Sequence, residues 1–234
     1  MKILGVDTET EGLDPKKHKI TEIGMCLYDT DAKAPVRVSG FLVKGGLITA
    51  EIERITGITQ TMLDTYGVSP EAGLSAIYGL AQQAKYLCGH NFQFDRSFLD
   101  AEAKRQGKAL ITLPHIDTRT DLPPEAYKKG KSASLKYLCC DHKIYFTAHR
   151  AVSDVLATLE LLGQYDIREV IERSRIPNVE VRAVVDYSER LLAKERSYYW
   201  FAELKQWRKP MKLSEVDAEK VAAPFSVVLV EPPK

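Results

Sequence analysis

Acidic side chains stand directly beside apolar, core-forming residues at three separate places in this chain. The three clusters are Asp7-Thr8-Glu9, His90 to Asp95 and His149 to Asp154, and their acids are flanked by Val6, Phe94 and Val155. Carboxylates rarely lie next to core residues unless they are paired or bound to a metal. The chain must therefore fold so that something compensates acids from three distant segments.

The first cluster follows an apolar run at the N-terminus. Residues 2–7 read Lys-Ile-Leu-Gly-Val-Asp, which predicts a central β-strand. Because side chains alternate along a strand, Asp7 and Glu9 project to the same side, where their charges repel unless a cation lies between them. A polar turn after the strand is the competing interpretation, and an Asp-x-Glu pattern alone does not decide between the two.

The third cluster lies at the start of a segment with helical periodicity. The apolar residues that recur at this spacing from about residue 150 are Val152, Val155, Leu156, Leu159 and Leu162. They predict an amphipathic helix with Asp154 near its first turn and His149 at or just before its start. The partial positive charge of a helix N-terminus disfavours an imidazolium, which suits a general base; an ordinary surface histidine is the alternative.

The middle cluster supplies a fourth acid. Residues 86–90 predict a strand of the same sheet, Asn91 a turn, and Asp95 the start of a helix that stops at Gly107. Taken alone, Asp95 is equally consistent with an ordinary first-turn aspartate. The three clusters together favour one site that holds two hard divalent cations against a phosphodiester and deprotonates the attacking water.

These residues together resemble a known family. Asp7-x-Glu9, His90-Asn91-x-x-Phe94-Asp95 and His149-x-Ala151-x-x-Asp154 resemble the three exonuclease motifs of the DEDDh 3′→5′ exonucleases, which include bacterial polymerase proofreading subunits, ribonuclease T and exonuclease X. Within the family, His149-Arg150-Ala151 is most similar to exonuclease X. The branch that uses tyrosine fits poorly, because it places the tyrosine four residues before the last acid, where this chain has Arg150. The resemblance covers roughly residues 1–165.

The resemblance implies a function and a set of site residues. It implies that two Mg²⁺ (or Mn²⁺) ions are held by four acids and that His149 is the base; the acids are Asp7, Glu9, Asp95 and Asp154. It further implies hydrolysis at 3′ ends, preferably of single-stranded DNA or frayed 3′ ends, with release of nucleoside 5′-monophosphates. Asn91 and Phe94 would contact the nucleic acid, and a polymerase or a repair protein is the implied partner.

The order of the predicted elements points to the same fold. Strands are predicted near 2–7, 20–28, 36–43, 86–90 and 111–117, and helices from Ser69-Pro70-Glu71, near 95–106, near 132–140 and from about 150. Three early strands followed by strands that alternate with helices predict an α/β fold: a mixed five-stranded sheet with helices on both faces. This order is similar to the ribonuclease H-like fold of the family.

A second unit is predicted after a linker at residues 173–178. We assign residues 1–170 to an exonuclease domain and 178–234 to a small α+β C-terminal module. Its predicted elements are a strand at Val179–Tyr187, a helix from Ser188, a hairpin pairing Tyr198–Trp200 with Lys205–Lys209, a helix from Ser214 and a strand at Phe225–Val230. A unit of this size is only modestly stable unless it docks on its neighbour.

Aromatic and basic residues alternate in this module. Single-strand binding that tolerates any sequence is built from aromatic side chains on a basic surface, so Trp200, Trp207 and Arg208 are candidate nucleic-acid contacts. The alternative is that the tryptophans form the core of a small module. Lys128, Lys129 and Lys131 belong to the densest basic run of the first domain, and they are either further phosphate contacts or a solvated loop.

Composition limits the remaining possibilities. The formal net charge is only +1, so attraction to a polyanion must be local. No apolar run is long enough to span a membrane, and the four cysteines lack a C-x-x-C pair, which favours reduced core thiols in a cytoplasmic protein. A zinc site at Cys139, Cys140 and His142 is the alternative.

Two functions from different classes fit this sequence. The first is a metal-dependent 3′→5′ exonuclease, and the second is a catalytically weak nucleic-acid-binding or polymerase-accessory protein of the same fold. All five residues that the family's chemistry requires are present, which favours the enzyme.

Overall fold

A mixed sheet forms the centre of the first domain. The computed structural model describes residues 1–127 and 132–230. The first sheet contains β1 (Lys2–Thr10), β2 (Ile20–Asp29), β3 (Ala34–Leu42), β4 (Tyr86–Gly89) and β5 (His115–Asp117), in the order β3-β2-β1-β4-β5. Strand β1 is antiparallel to β2 and parallel to β4. The predicted mixed five-stranded sheet is confirmed.

Helices cover both faces of this sheet. They are α1 (Ala50–Thr56), α2 (Gln60–Tyr66), α3 (Pro70–Ala81), α4 (Phe92–Arg105), α5 (Leu135–Asp141), α6 (Ala151–Gly163) and α7 (Ile167–Ser174). Alternation along β1 sends Ile3 into the core with α5, α6 and α7, and it sends Leu4 and Val6 into the core with α3 and α4. Every apolar residue of β1 is therefore buried, on one side or the other.

Two glycines let helix α6 lie directly on the sheet. A Cβ added at Gly24 of β2 would lie 2.2 Å from the carbonyl carbon of Ala151, and one at Gly40 of β3 would lie 2.2 Å from Cγ2 of Val152. A side chain at Gly24 or Gly40 would thus force the first turn of α6 away from the strands. This close approach determines where the third acidic cluster lies.

Several predicted boundaries are wrong. Strand β5 has only three residues, since Pro114 and the residues before it lie outside the sheet, and α5 begins at Leu135 rather than near 132. Helix α7 occupies part of the predicted linker, with Asp166 accepting a hydrogen bond from the Arg168 amide at its N-terminus. Helices α1 and α2 were not predicted, because each has only seven residues and buries a single side chain.

The C-terminal module is built on a second, antiparallel sheet. It contains β6 (Asn178–Val184), α8 (Arg190–Glu195), β7 (Tyr199–Phe201), β8 (Gln206–Lys212), α9 (Val216–Ala222) and β9 (Ser226–Leu229), with strand order β7-β8-β6-β9. The predicted hairpin is present, and Trp200 pairs with Trp207 across it. Strand β6 ends at Val184, three residues earlier than predicted, because Tyr187 starts a 3₁₀ turn that leads into α8.

The module has a small core of its own. Its buried apolar residues are Val181, Ala183, Ala193, Tyr198, Met211, Val216 and Val227. In the part of the chain that the structure describes, no helix is long and apolar enough to cross a membrane.

Candidate active site

Strand β1 presents its two acids toward helix α6. Asp7 and Glu9 are half-buried and share the face of β1 that carries Ile3 and Gly5. A Cβ at Gly5 would lie 2.7 Å from side-chain atoms of Leu159 and Val155 of α6. The alternation predicted from the sequence therefore directs both carboxylates to the side where α6 begins.

Three of the predicted acids converge. Carboxylate oxygens of Asp7, Glu9 and Asp154 all lie within 4.8 Å of one another. Within residues 1–127 and 132–230, no other group of three or more His, Cys, Asp or Glu side chains has this proximity, so the zinc site considered at Cys139, Cys140 and His142 does not form there. Oxygen-only ligand sets of this kind suit Mg²⁺ or Mn²⁺.

Only one of the two carboxylate oxygens of Asp154 has a hydrogen-bond partner among the described residues. Its Oδ2 accepts a hydrogen bond from the His149 amide at 2.9 Å, whereas its Oδ1 is buried and has no hydrogen-bond partner among the described residues. Leaving a buried charged oxygen unpaired costs free energy. A buried, unpaired oxygen on a member of a group of acids is the feature expected of a metal ligand, so the residues present fit a divalent cation.

The fourth predicted acid reaches the cluster from the other face of β1. Asp95, in the first turn of α4, is 3% exposed, and its Oδ1 accepts hydrogen bonds from the Thr8 amide at 2.8 Å and the Thr8 hydroxyl at 2.7 Å. Thr8 lies between Asp7 and Glu9 and points the opposite way. Asp95 is therefore adjacent to the three-carboxylate group without belonging to it.

The carboxylates of the site are buried and repel one another, and both effects raise their pKa values. Burial and the charges of Asp95 and Asp154 raise the pKa of Asp7 well above its ordinary value. Burial first, and then the charge of Asp154, raises the pKa of Glu9 to about 8. Burial likewise raises the pKa of Asp95 to about 7 and that of Asp154 to about 6. Without cations, the protein must hold protons to relieve this repulsion.

A fifth acid, Glu22, borders the site and was not predicted from the sequence. It is 4% exposed, and its carboxylate accepts hydrogen bonds from the Ala151 amide at 2.9 Å and from the guanidinium of Arg150 at 2.8 Å. Glu22 thus secures the N-terminus of α6 that carries Asp154. The available signal was an acid near the start of a strand whose following residues, from Ile23 to Tyr28, are mostly apolar.

His149 lies at the entrance to the site. The residue is exposed, its backbone is left-handed with φ 66°, and it comes two residues before the start of α6. Its amide is engaged by Asp154, whereas its ring makes no hydrogen bond to any described residue. The backbone of His149 is thus fixed to Asp154, and its ring has no hydrogen-bond partner among the described residues.

The turn before α4 is held by an acid that sequence reasoning also missed. Asp117 accepts hydrogen bonds from the Asn91 amide at 2.8 Å and from the Phe92 amide at 3.1 Å. Asn91 is exposed at φ 64°, and half-buried Phe94 packs against Phe98 with ring centroids 5.0 Å apart. Both predicted nucleic-acid contacts therefore lie beside Asp95.

His90, the histidine of the middle cluster, contacts Thr118 and not the carboxylates. Nδ1 of His90 lies 3.0 Å from the Thr118 hydroxyl, and burial lowers the pKa of the ring to about 4. Burial therefore keeps this ring neutral, and its contact with Thr118 gives it a structural role.

The remaining predicted contacts lie elsewhere. Lys128, Lys129 and Lys131 fall outside the described residues. Trp200, Trp207 and Arg208 belong to the C-terminal module, where Trp207 is half-buried against the module core and Arg208 pairs with Glu180 at 2.6 Å. The structure does not bring any of these three into the carboxylate site.

The class of protein follows from family comparison. Residues 4–162, more than half of the chain, match the RNase_T family model, which is described as "Exonuclease". The chain therefore belongs to this exonuclease family, which confirms the family resemblance found in the sequence.

Relatives in sequence include parts of much longer proteins. The chain is 29% identical over 174 residues to a PolC-type DNA polymerase III of Latilactobacillus sakei, covering 74% of this chain and 12% of that protein. It is 31% identical over 114 residues to the 3′-5′ exonuclease DinG of Bacillus subtilis, covering 48% of this chain and 12% of that protein. The chain thus spans only a small fraction of the length of these curated relatives.

Solved structures share the fold. Exonuclease I of E. coli, in complex with a dA16 oligonucleotide, superimposes with a TM-score of 0.63 at 19% identity, over 78% of this chain and 48% of that chain. Exonuclease X, in complex with 5′ overhanging duplex DNA, superimposes with a TM-score of 0.56 at 20% identity, over 74% of this chain and 99% of that chain. At these identities the likeness is one of fold.

Proposed function

We propose that this chain is a metal-dependent 3′→5′ exonuclease that hydrolyses phosphodiester bonds at 3′ ends, preferably of single-stranded DNA, by a two-metal mechanism. The observation that carries the proposal is the convergence of Asp7, Glu9 and Asp154 within 4.8 Å, with a buried, unpartnered oxygen on Asp154. Family membership supports a nuclease, and the geometry supports the cation dependence.

The four acids divide between two sides of β1. Asp7, Glu9 and Asp154 would hold cations directly, and Asp95 would complete the ligand set from the α4 side. Two Mg²⁺ or Mn²⁺ ions, when bound, stabilise negative charge on the attacking and leaving oxygens of an in-line displacement at phosphorus. The protein contributes rigid ligands, because Thr8 fixes Asp95 and the His149 amide fixes Asp154.

His149 would act as the general base. Its ring nitrogen takes a proton from water as the water oxygen forms a bond to phosphorus. The bond from phosphorus to the 3′ oxygen of the preceding nucleotide breaks, and that oxygen ends as a 3′ hydroxyl after it gains a proton. The terminal nucleotide is released as a nucleoside 5′-monophosphate, and the shortened strand carries the next 3′ end.

The finer assignments rest on kinship and on the chain's own chemistry. The related exonuclease I structure contains a DNA oligonucleotide, which supports DNA as the substrate here. The PolC-type relatives support a polymerase or a repair protein as the partner. The four cysteines are unpaired, which supports a reducing, cytoplasmic setting.

A strand-shortening assay tests the proposal. Single-stranded DNA labelled at its 5′ end should give a ladder of shortened products with Mg²⁺ or Mn²⁺, none with EDTA, and none with the isosteric variant Asp154→Asn. The same sequence as RNA should be cut more slowly. Absence of metal-dependent shortening, with binding intact, would leave the nucleic-acid-binding alternative in its place.

A further inference from the structure

Three consecutive aromatic side chains are exposed at the edge of the second sheet. Tyr199, Trp200 and Phe201, which make up β7, have exposed fractions of 42%, 50% and 42%. Exposed apolar patches on an edge strand favour aggregation unless they serve as an interaction surface. The exposed aromatic side chains of this edge strand therefore mark a candidate interaction surface.

The ring of Trp200 packs against the ring of Trp207. The two rings lie 5.6 Å apart, centroid to centroid, with the planes inclined at 54°. Trp207 is half-buried and packs against the module core. The alternative that both tryptophans form the core therefore applies to Trp207, whereas Trp200 offers a supported, open ring face.

An open groove lies beside this ring. Its volume is about 270 Å³, and the aromatic and basic side chains that line it are those of Tyr187, Arg190, Trp200, Lys205 and Trp207. The guanidinium carbon of Arg190 lies 4.0 Å above the ring of Tyr187, so one wall of the groove is a stacked cation and aromatic pair.

The groove carries unbalanced positive charge. Two cationic side chains, those of Arg190 and Lys205, line it against a single carboxylate, that of Asp186. Among the described residues, neither Arg190 nor Lys205 has a carboxylate within ion-pair distance, in contrast to Arg208, which Glu180 neutralises. Free cations beside an open aromatic face complement a ligand that has both phosphates and planar bases.

We propose that this groove, lined by Trp200, Tyr187, Arg190 and Lys205, binds single-stranded nucleic acid, with a base stacked on Trp200. The inference rests on the proposed function, because a strand whose 3′ end is cut has a 5′ portion to be held. A duplex hides its base faces, and an acidic peptide lacks them.

The groove lies within reach of the nuclease domain. Strand β8 runs from Trp207 in the groove to Lys212, which contacts Asp121 of the nuclease domain. Five residues of strand span about 17 Å. A single strand held in the groove can therefore extend to the nuclease domain.

Tryptophan fluorescence provides a direct test. The chain has two tryptophans, and both line the groove, so their emission reports on it alone. We expect oligothymidylate of ~16 nucleotides to quench the emission of the full chain in EDTA, and one of ~4 nucleotides to bind more weakly. Trp200→Ala should reduce affinity for the longer strand by about 5- to 150-fold, the range for one stacked base.

Tyr199→Ala is the matched control. Tyr199 lies on the same strand with similar exposure, but its side chain projects from the opposite face, so its loss should leave affinity unchanged. No quenching, or a loss of affinity in Tyr199→Ala but not in Trp200→Ala, would overturn the proposal. Because the titration needs no metal, Trp200-dependent binding without any cleavage would reject the proposed enzyme and keep the groove.

A separate observation concerns a buried ion pair between the two units. Lys212 and Asp121 are 1% and 3% exposed, and Nζ of Lys212 lies 2.5 Å from Oδ1 of Asp121. Lys212 also donates a hydrogen bond to the carbonyl of Ile176 at 3.1 Å. A buried pair of this kind is strongly destabilised when one partner is removed.

Hydrogen bonds continue from this pair to the active-site turn. Oδ2 of Asp121 accepts from the Asp117 amide at 2.7 Å, and the Asp117 carboxylate accepts from the Asn91 and Phe92 amides. Asn91 is held in the left-handed region at the start of α4, which carries Asp95. Such a backbone conformation persists where its surroundings fix it.

We infer that Lys212 is a positioning residue, which supports the turn before Asp95 through Asp121 and Asp117. Hydrogen exchange tests this in the full chain. In Lys212→Met, the Asn91 and Phe92 amides should exchange about 10- to 150-fold faster, which corresponds to the loss of one charge-assisted hydrogen bond. Mn²⁺ affinity should fall as well.

Two further variants make this test decisive. Arg196→Met breaks the Arg196 to Glu219 pair inside the module and should leave both amides protected. Lys212→Met combined with Asp121→Asn removes both buried charges but keeps an oxygen for the Asp117 amide, so protection should return. Equal exchange in Lys212→Met and wild type, or equal acceleration in Arg196→Met, would overturn the inference.

Discussion

The nuclease site and the C-terminal module treat charge in opposite ways. In the site, Asp7, Glu9 and Asp154 crowd together, and a buried oxygen of Asp154 has no described partner. In the module, acids and cations are matched: Glu219 accepts from Arg196 at 2.8 Å, and Glu180 accepts from Arg208 at 2.6 Å. Only the first arrangement needs ions from outside the chain.

This difference distinguishes the charged residues that stabilise the fold from those that form the site. Buried charges that satisfy one another hold a fold together, whereas buried like charges cost stability and persist where a ligand compensates them. The module's binding potential consequently lies in its exposed aromatics and unpaired cations, away from its internal ion pairs. Four predictions can break or sharpen this contrast.

Removal of an acid should have opposite consequences in the two regions. We expect Asp154→Asn to reduce cleavage by ~10³-fold or more, since an ion worth several kcal/mol of transition-state stabilisation is lost. The same change should raise the melting temperature of the metal-free protein, because repulsion falls. Glu219→Gln should instead lower the free energy of unfolding by about 1–3 kcal/mol. Cleavage rates and thermal unfolding in EDTA measure both; destabilisation by Asp154→Asn would remove the contrast.

We expect His149 to contribute to the rate of cleavage but not to the stability of the fold. His149→Ala should slow cleavage by about 10²–10⁴-fold, the usual range for a lost general base. Unfolding should be nearly unchanged, because the ring makes no hydrogen bond to a described residue. Equal turnover by the two proteins would exclude this role.

Close packing of α6 on the sheet should be required for the site. In Gly24→Ala, the new methyl group would meet the Ala151 backbone at 2.2 Å, so α6 must shift and carry Asp154 with it. We expect a loss of about 1–3 kcal/mol in stability together with weaker Mn²⁺ binding. Gly79→Ala in α3 is the control: its Cβ would meet nothing within 4 Å, and stability should rise by up to ~1 kcal/mol. Unchanged Mn²⁺ binding in Gly24→Ala would refute the geometric argument.

Metal-free stability should depend on pH. The folded-state pKa values of Asp154, Asp95 and Glu9 are raised to about 6, 7 and 8, above ordinary values near ~4. Groups with raised folded-state pKa values bind protons more tightly when folded, so stability should fall as pH rises from about 4 to about 8. Saturating Mg²⁺ should flatten or reverse this slope. Thermal unfolding at stepped pH, with EDTA or Mg²⁺, is the measurement; identical slopes would contradict cation compensation.

Local patterns predicted the elements that carry the acids. The apolar run before Asp7 predicted β1, Ser69-Pro70 predicted the start of α3, and the spacing of apolar residues after Arg150 predicted α6. These signals succeed because capping and amphipathic periodicity are local properties of the chain. The short helices α1 and α2 gave no such signal, since almost none of their side chains reach a core.

Contacts between residues far apart in the chain could not be predicted from the sequence. Glu22 reads as an ordinary strand residue until Arg150, 128 positions later, is placed against it. Gly24 gives no hint that a helix backbone lies on it, and Lys212 gives none that its charge is buried against Asp121. Each of these contacts joins segments that only the packed sheet brings together.

The sequence by itself determined which side chains are available for chemistry and which segments carry them, because strand alternation and helix periodicity are set residue by residue. Only the tertiary structure decided that Asp154 meets Asp7 and Glu9 while Asp95 bonds to Thr8 from the other side of the strand. The physical reason is that distances between carboxylates depend on how closely α6 and α4 pack on β1, and packing is a property of the whole domain.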